Sequence, residues 1–113
     1  MPLRSRFDLD RLIHEPARLV ILTALTACES ADFVFLQRIA GLTTGNLSAH
    51  LTKLSEAGLV TLEKRFVGNK PNTQVALSPA GRRAIGEHWR RLELIKAEAS
   101  GLKPARSAQD SGR

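Results

Sequence analysis

The spacing of apolar positions changes several times along the chain, and each change marks an element. Between Leu9 and Cys28, the residues Leu12, Ile13, Leu19, Val20, Ile21, Leu22, Ala24 and Leu25 cover more than one helical stripe, which predicts helix buried on two sides. Pro16 interrupts this run and has no amide hydrogen to continue the ladder. A short helix is therefore expected up to about His14, and a fresh one from Glu15 or Pro16. Asp32 then precedes an apolar run from Phe33 to Ala40 that stops at Gly41, the signature of a capped two-turn helix. After the short turn Gly41-Leu42-Thr43, the hydroxyl of Thr44 is expected to cap a third helix, 44–57, closed by Gly58.

Within that third helix Leu47, Leu51 and Leu54 recur at steps of four and three. Gly45, Asn46, Ala49, Thr52 and Lys53 fall on or near the opposite side. A helix exposed only to water tends to carry long charged side chains. Short side chains with hydrogen-bonding tips instead suit a helix pressed into a groove. Val60 to Phe66 is rich in strand formers, 67–72 is rich in turn formers, and Thr73 to Leu77 returns as a second strand, a hairpin with a basic tip. Ser78-Pro79 places a hydroxyl and a proline at the start of a last helix, which runs through Ile85, Trp89, Leu92 and Ile95 toward Ala99. The resulting class is mainly α with a small β-hairpin: a winged helix-turn-helix of three helices, a two-stranded wing and a C-terminal helix. Phe35, Leu36, Ile39, Leu47, Leu51, Leu54, Leu62 and Leu77 are its expected core. The domain spans 7–98, and 99–113 reads as a disordered polar tail.

Composition narrows the function. A chain of 113 residues holds one modest core, and a formal charge of +6 favours a polyanion, either nucleic acid or anionic lipid. No apolar run approaches the roughly 20 residues that span a bilayer, and charges occupy the start where a signal peptide needs an apolar stretch. A soluble, cytoplasmic protein with no membrane partner is expected. Cys28 is the only cysteine, so an intrachain disulfide and a thiolate zinc cluster are both excluded. It reads as a small buried hydrophobe, with redox sensing as the alternative. Phosphate-loop, nucleophile–base and paired-carboxylate motifs are lacking, so no enzyme and no cofactor is expected.

The segment from Asn46 to Val60 carries Leu47-Ser48, His50-Leu51, Leu54 and Ala57-Gly58-Leu59-Val60. It resembles the recognition helix and following strand of the ArsR and MarR families of bacterial regulators. His14-Glu15-Pro16-Ala17-Arg18-Leu19-Val20-Ile21-Leu22 is similar to the first helix of ArsR-type repressors, and Leu77-Ser78-Pro79-Ala80-Gly81-Arg82 to the entry of the last helix in MarR-type proteins. The resemblance covers roughly Phe7 to Lys96. Two departures matter. The clustered ligands of ArsR metal sensors are missing, so no metal site is expected, and little length remains for the extra terminal helices of MarR proteins. A small-molecule effector stays open.

The resemblance implies a dimeric transcriptional regulator, a repressor, that binds double-stranded DNA. Helix 44–57 would enter the major groove, and wing 64–74 would lie on the flanking backbone or minor groove. Asn46, Ser48 and Ala49, with Gly45 beside them, would reach base edges. Thr44 and the first-turn amides would seat a phosphate, and Lys53 would add a charge. His50 either touches phosphate or hydrogen-bonds inside the domain. Arg65, Asn69, Lys70 and Asn72 are the wing candidates, with a solvated turn as the plain alternative. Leu19, Val20, Ile85, Trp89 and Leu92 are expected to form a homodimer interface; the alternative is that Trp89 folds back on its own domain. The competing function is a winged-helix interaction or assembly module without sequence-specific DNA binding.

Overall fold

The structure is a computed structural model and describes residues 6–102. Helix α1 (Arg6–Ile13) stops two residues before Pro16, which opens α2 (Pro16–Leu25). Glu15 caps α2, its carboxylate accepting from the amide of Arg18 at 2.9 Å. A two-residue strand β1 (Ala31–Asp32) follows, and the Asp32 carboxylate also caps α3 (Phe33–Ala40), accepting from Phe35 N at 2.7 Å. Gly41 closes α3 in the left-handed conformation, φ +67°, that glycine adopts without strain. Helix α4 (Thr44–Glu56) leads through Gly58 into β2 (Val60–Val67). A tight turn then gives β3 (Lys70–Leu77), and α5 (Pro79–Leu102) ends the described chain.

The sheet has three antiparallel strands in the order β1-β3-β2, so the expected hairpin gains a third short strand. β1 pairs Ala31 with Val75 and Asp32 with Gln74. The hairpin is longer and its turn tighter than the composition of 67–72 suggests. Val67 pairs with Lys70, leaving only Gly68 and Asn69 in the turn, both at positive φ. A two-residue turn of that hand matches the natural twist of the strands, and glycine and asparagine tolerate it best. Pro71 sits in β3 beyond the reach of β1, where one side of the strand needs no donor.

Ile21, Leu22 and Leu25 of α2 meet Leu36 of α3, Leu47, Leu51 and Leu54 of α4, Val75 and Leu77 of β3, and Ile85 of α5 in one core. Three expected core residues lie elsewhere. Phe35 is 49% exposed and Ile39 48%, because α3 turns Phe33, Leu36 and Ala40 inward and leaves those two on its outer side. Leu62 is 40% exposed because the hairpin leaves the core just past Val60. The expected tail is also shortened. The helix formers Ala97, Glu98 and Ala99 carry α5 on to Leu102, and the rest of the proposed tail, 103–113, lies outside the described residues. No helix among the described residues is long and apolar enough to cross a membrane.

A polar joint holds α1 to α5. His14 Nδ1 and His88 Nε2 lie 3.2 Å apart, so one ring donates and the other accepts, while Asp10 pairs with Arg91. His88 is buried, and its Nδ1 stays 3.9 Å from the Asp10 carboxylate, too far for a hydrogen bond. Burial first, and then His14, with Arg91 adding to it, push the His88 imidazole below its ordinary value of 6.5 against the opposing pull of Asp10. Arg11 and Glu15 line the same cleft. A histidine depressed in this way is protonated more readily when unfolded. Its contribution to stability is complete above pH 6.5 and is lost as pH falls below that value toward the folded one. The urea midpoint is expected to drop between about pH 7 and pH 5, and His88→Leu to flatten that drop. Equal slopes in the two proteins would show that His88 is not the group responsible.

Candidate nucleic-acid interface

The start of α4 is set by Thr43 rather than Thr44. Thr43 has extended backbone, and its hydroxyl accepts from Asn46 N at 3.1 Å. Thr44 is the first helical residue, and its hydroxyl accepts from Gln37 Nε2 at 3.3 Å, tying the ends of the two helices together. The cap expected at Thr44 thus falls one residue earlier. Thr44 and Gly45, whose amides have no partner within the helix, are exposed, as an anion seat requires.

From there α4 presents two unlike sides. Leu47, Leu51 and Leu54 are buried, while Thr44, Gly45, Asn46, Ser48, Ala49, Thr52 and Lys53 are exposed. Asn46, Ala49 and Lys53 follow one another at three- and four-residue steps and form a single row, with Gly45 and Thr52 next to it. Ser48 lies on one flank of the helix and the half-buried His50 on the other. The row offers an amide, a methyl and an ammonium, groups able to hydrogen-bond to a base edge, pack on a thymine methyl and reach a phosphate.

Beside this helix stands the hairpin. Cross-strand partners share a face, and pairing places Arg65 opposite Asn72 and Val67 opposite Lys70. Arg65, Lys70 and Asn72 therefore project on one side. Lys64, Phe66 and Pro71 project on the other, the side that continues the core face of Val60 and Val75. Asn69 stands at the turn itself. Asn72 is less available than the rest. Its side-chain oxygen accepts from Gln74 Nε2 at 2.9 Å, and Gln74 Oε1 in turn accepts from Ser30 at 2.8 Å. Sequence reasoning passed over Lys64 and Phe66. Phe66 is 73% exposed, an apolar wedge on the wing that its place in a strand-forming run had hidden.

A family model described as a winged helix DNA-binding domain matches residues 17–95. The chain belongs to that family. Winged-helix domains of this kind are DNA-binding regulators and not enzymes. The chain is 32% identical over 87 residues to an uncharacterized protein of Methanocaldococcus jannaschii, a match covering 76% of this chain and 95% of that protein. It is also 32% identical to a transcriptional regulator homologue of Pyrococcus horikoshii whose solved structure superposes with a TM-score of 0.67, over 83% of this chain and 90% of that one. A MarR-family regulator of Silicibacter pomeroyi, 23% identical, shares the fold at a TM-score of 0.60 over 91% of this winged-helix chain and 69% of its own.

The expected dimer residues fall in three places within the winged-helix domain. Leu19, Val20 and Trp89 line an apolar groove of about 520 Å³ between α2, α3 and α5, together with Ile39. The Trp89 indole donates to Thr23 Oγ1 at 2.9 Å, so the side chain is tied back to α2 while its ring stays half exposed. Leu92 lines the separate cleft beside His14 and His88. Ile85 is fully buried in the chain's own core and offers no surface to a partner. Cys28 is half-buried, with its thiol directed at Ala24 O.

Proposed function

We propose that this protein is a homodimeric transcriptional repressor that reads a specific duplex sequence with α4 in the major groove and steadies itself with the wing. The row Asn46, Ala49 and Lys53 carries this reading, being exposed on a helix whose opposite side anchors the core. No described residue bonds to the side chain of Asn46 or Lys53, while Arg65 and Lys70 add charge where a wing meets the backbone. Dimerisation is supported by the apolar groove at Val20, Ile39 and Trp89, because a second copy would bury surface that the protomer leaves wet. A regulator acting at the nucleoid would be cytoplasmic.

Selection of bound fragments from random duplex DNA at a stated salt concentration tests the reading, since bare affinity of a basic protein means little. Asn46→Ala is expected to change the preferred motif, costing about 1–3 kcal/mol of discrimination at one base position. Lys70→Ala is expected to weaken all sequences alike and to remove about one unit from the slope of log affinity against log salt. A motif that changes with Lys70→Ala and not with Asn46→Ala would make the wing the reader. Duplex binding indifferent to both substitutions would favour an assembly module, whose docking surface would then include Phe66.

A further inference from the structure

Pro16 has no amide hydrogen to offer the carbonyl of Leu12 four residues earlier, so that oxygen is left over where α1 stops. Arg18 takes it, Nη1 donating to Leu12 O at 2.9 Å. The same guanidinium reaches α4, where its Nε donates to Nδ1 of His50 at 3.1 Å. An imidazole nitrogen that accepts a hydrogen bond carries no hydrogen, so in this contact the neutral ring keeps its one hydrogen on Nε2. The ring is half-buried, and no described residue takes that hydrogen.

On α4, His50 follows Asn46 by four residues and precedes Lys53 by three, which sets it beside the exposed row and toward the body of the domain. A side chain on the flank of a helix lying in the major groove meets the groove wall, which is sugar and phosphate, rather than the base edges on its floor. We propose that Arg18 is a positioning residue for DNA binding: it holds Nδ1 of His50, fixing the tautomer and orientation of the ring, and so presents Nε2–H as a neutral donor to a backbone phosphate. This rests on the DNA-binding reading of α4 given above. It assigns the break at Pro16 a task, since the carbonyl freed there anchors the arginine that aims the histidine.

A plain tie between α2 and α4 would use the same bond, and His50→Asn separates the two roles. Asparagine keeps an acceptor where Nδ1 stood and loses the outward donor. Its melting temperature is expected to match wild type, while affinity for the selected duplex falls about tenfold, the scale of one hydrogen bond to a charged group. The salt slope is expected to stay unchanged, because a neutral donor displaces no counterion. Arg18→Met is expected to lose a similar factor alone and almost nothing further in the His50→Asn background. Nitrogen-15 spectra of the free protein should show His50 with Nδ1 bare and Nε2 protonated. Wild-type affinity in folded His50→Asn, a slope reduced by one unit, additive losses, or a hydrogen on Nδ1 would each overturn the proposal. If Arg18→Met does not fold, His50→Asn and the spectra decide alone. A wild-type protein that binds no duplex sinks the DNA-binding reading as well, whereas wild-type binding that His50→Asn leaves intact sinks this inference only.

Discussion

Gly81→Ala is expected to lower the unfolding free energy by about 3 kcal/mol, a loss of roughly 10–20 °C in melting temperature for a domain of this size. A Cβ at this position would stand 1.9 Å from Leu59 O and 2.8 Å from Leu59 C, both backbone atoms that no rotamer change can move aside. The crowding follows from how the last helix is attached. Ser78 N donates to Leu59 O at 3.0 Å, Ser78 Oγ donates to Gly58 O at 2.6 Å, and the same Oγ accepts from Gly81 N at 2.9 Å. One serine thus caps α5 and clamps it to the start of β2, and only hydrogen fits between them. Gly86→Ala is the control. Gly86 lies on the same helix with open space around it, so alanine there is expected to stabilise by up to about 1 kcal/mol. Thermal melts that move the two variants alike would refute the close-contact argument.

Val20→Glu is expected to leave the protomer folded and to abolish its dimer. Val20 is 40% exposed in the middle of α2, and glutamate is a good helix former, so the helix itself tolerates the change. At the proposed interface the same carboxylate would be buried without a partner in both copies. Sedimentation at micromolar concentration should then show monomer where wild type shows dimer. Affinity for a duplex with two half-sites should fall about a hundredfold or more as the second contact ceases to be intramolecular. Binding to a single half-site should change little. A monomeric wild type with undiminished affinity, or a Val20→Glu protein that still dimerises, would remove the groove at Val20 and Trp89 from the mechanism.

Features set by neighbours in the chain were legible from the residues alone. The cap at Asp32, the helix stop at Gly41 and the restarts at Pro16 and Pro79 are each decided within about four residues. The exposed row on α4 was legible because its three leucines define the opposite side unambiguously. Helix α3 gives no such guidance, since it carries Phe33, Val34, Phe35, Leu36 and Ile39 around most of its circumference. Which of them turn inward depends on the helices it meets, so Phe35 and Ile39 went to the core on paper and to the surface in the fold. Strand β1 is two residues long and exists only through its partners Gln74 and Val75, far along the chain. The contact of Arg18 with His50 spans 32 positions, beyond any local pattern.

The position of the indole has a practical side. The chain contains one tryptophan and no tyrosine, and that tryptophan rests half exposed on the rim of the apolar groove, with its N–H held by Thr23. Nearly all ultraviolet emission therefore originates from a single spot, making the protein its own unlabelled gauge of whatever covers that spot. Colour and intensity would respond to the wetness of the groove, whether a second copy or a small apolar molecule dries it.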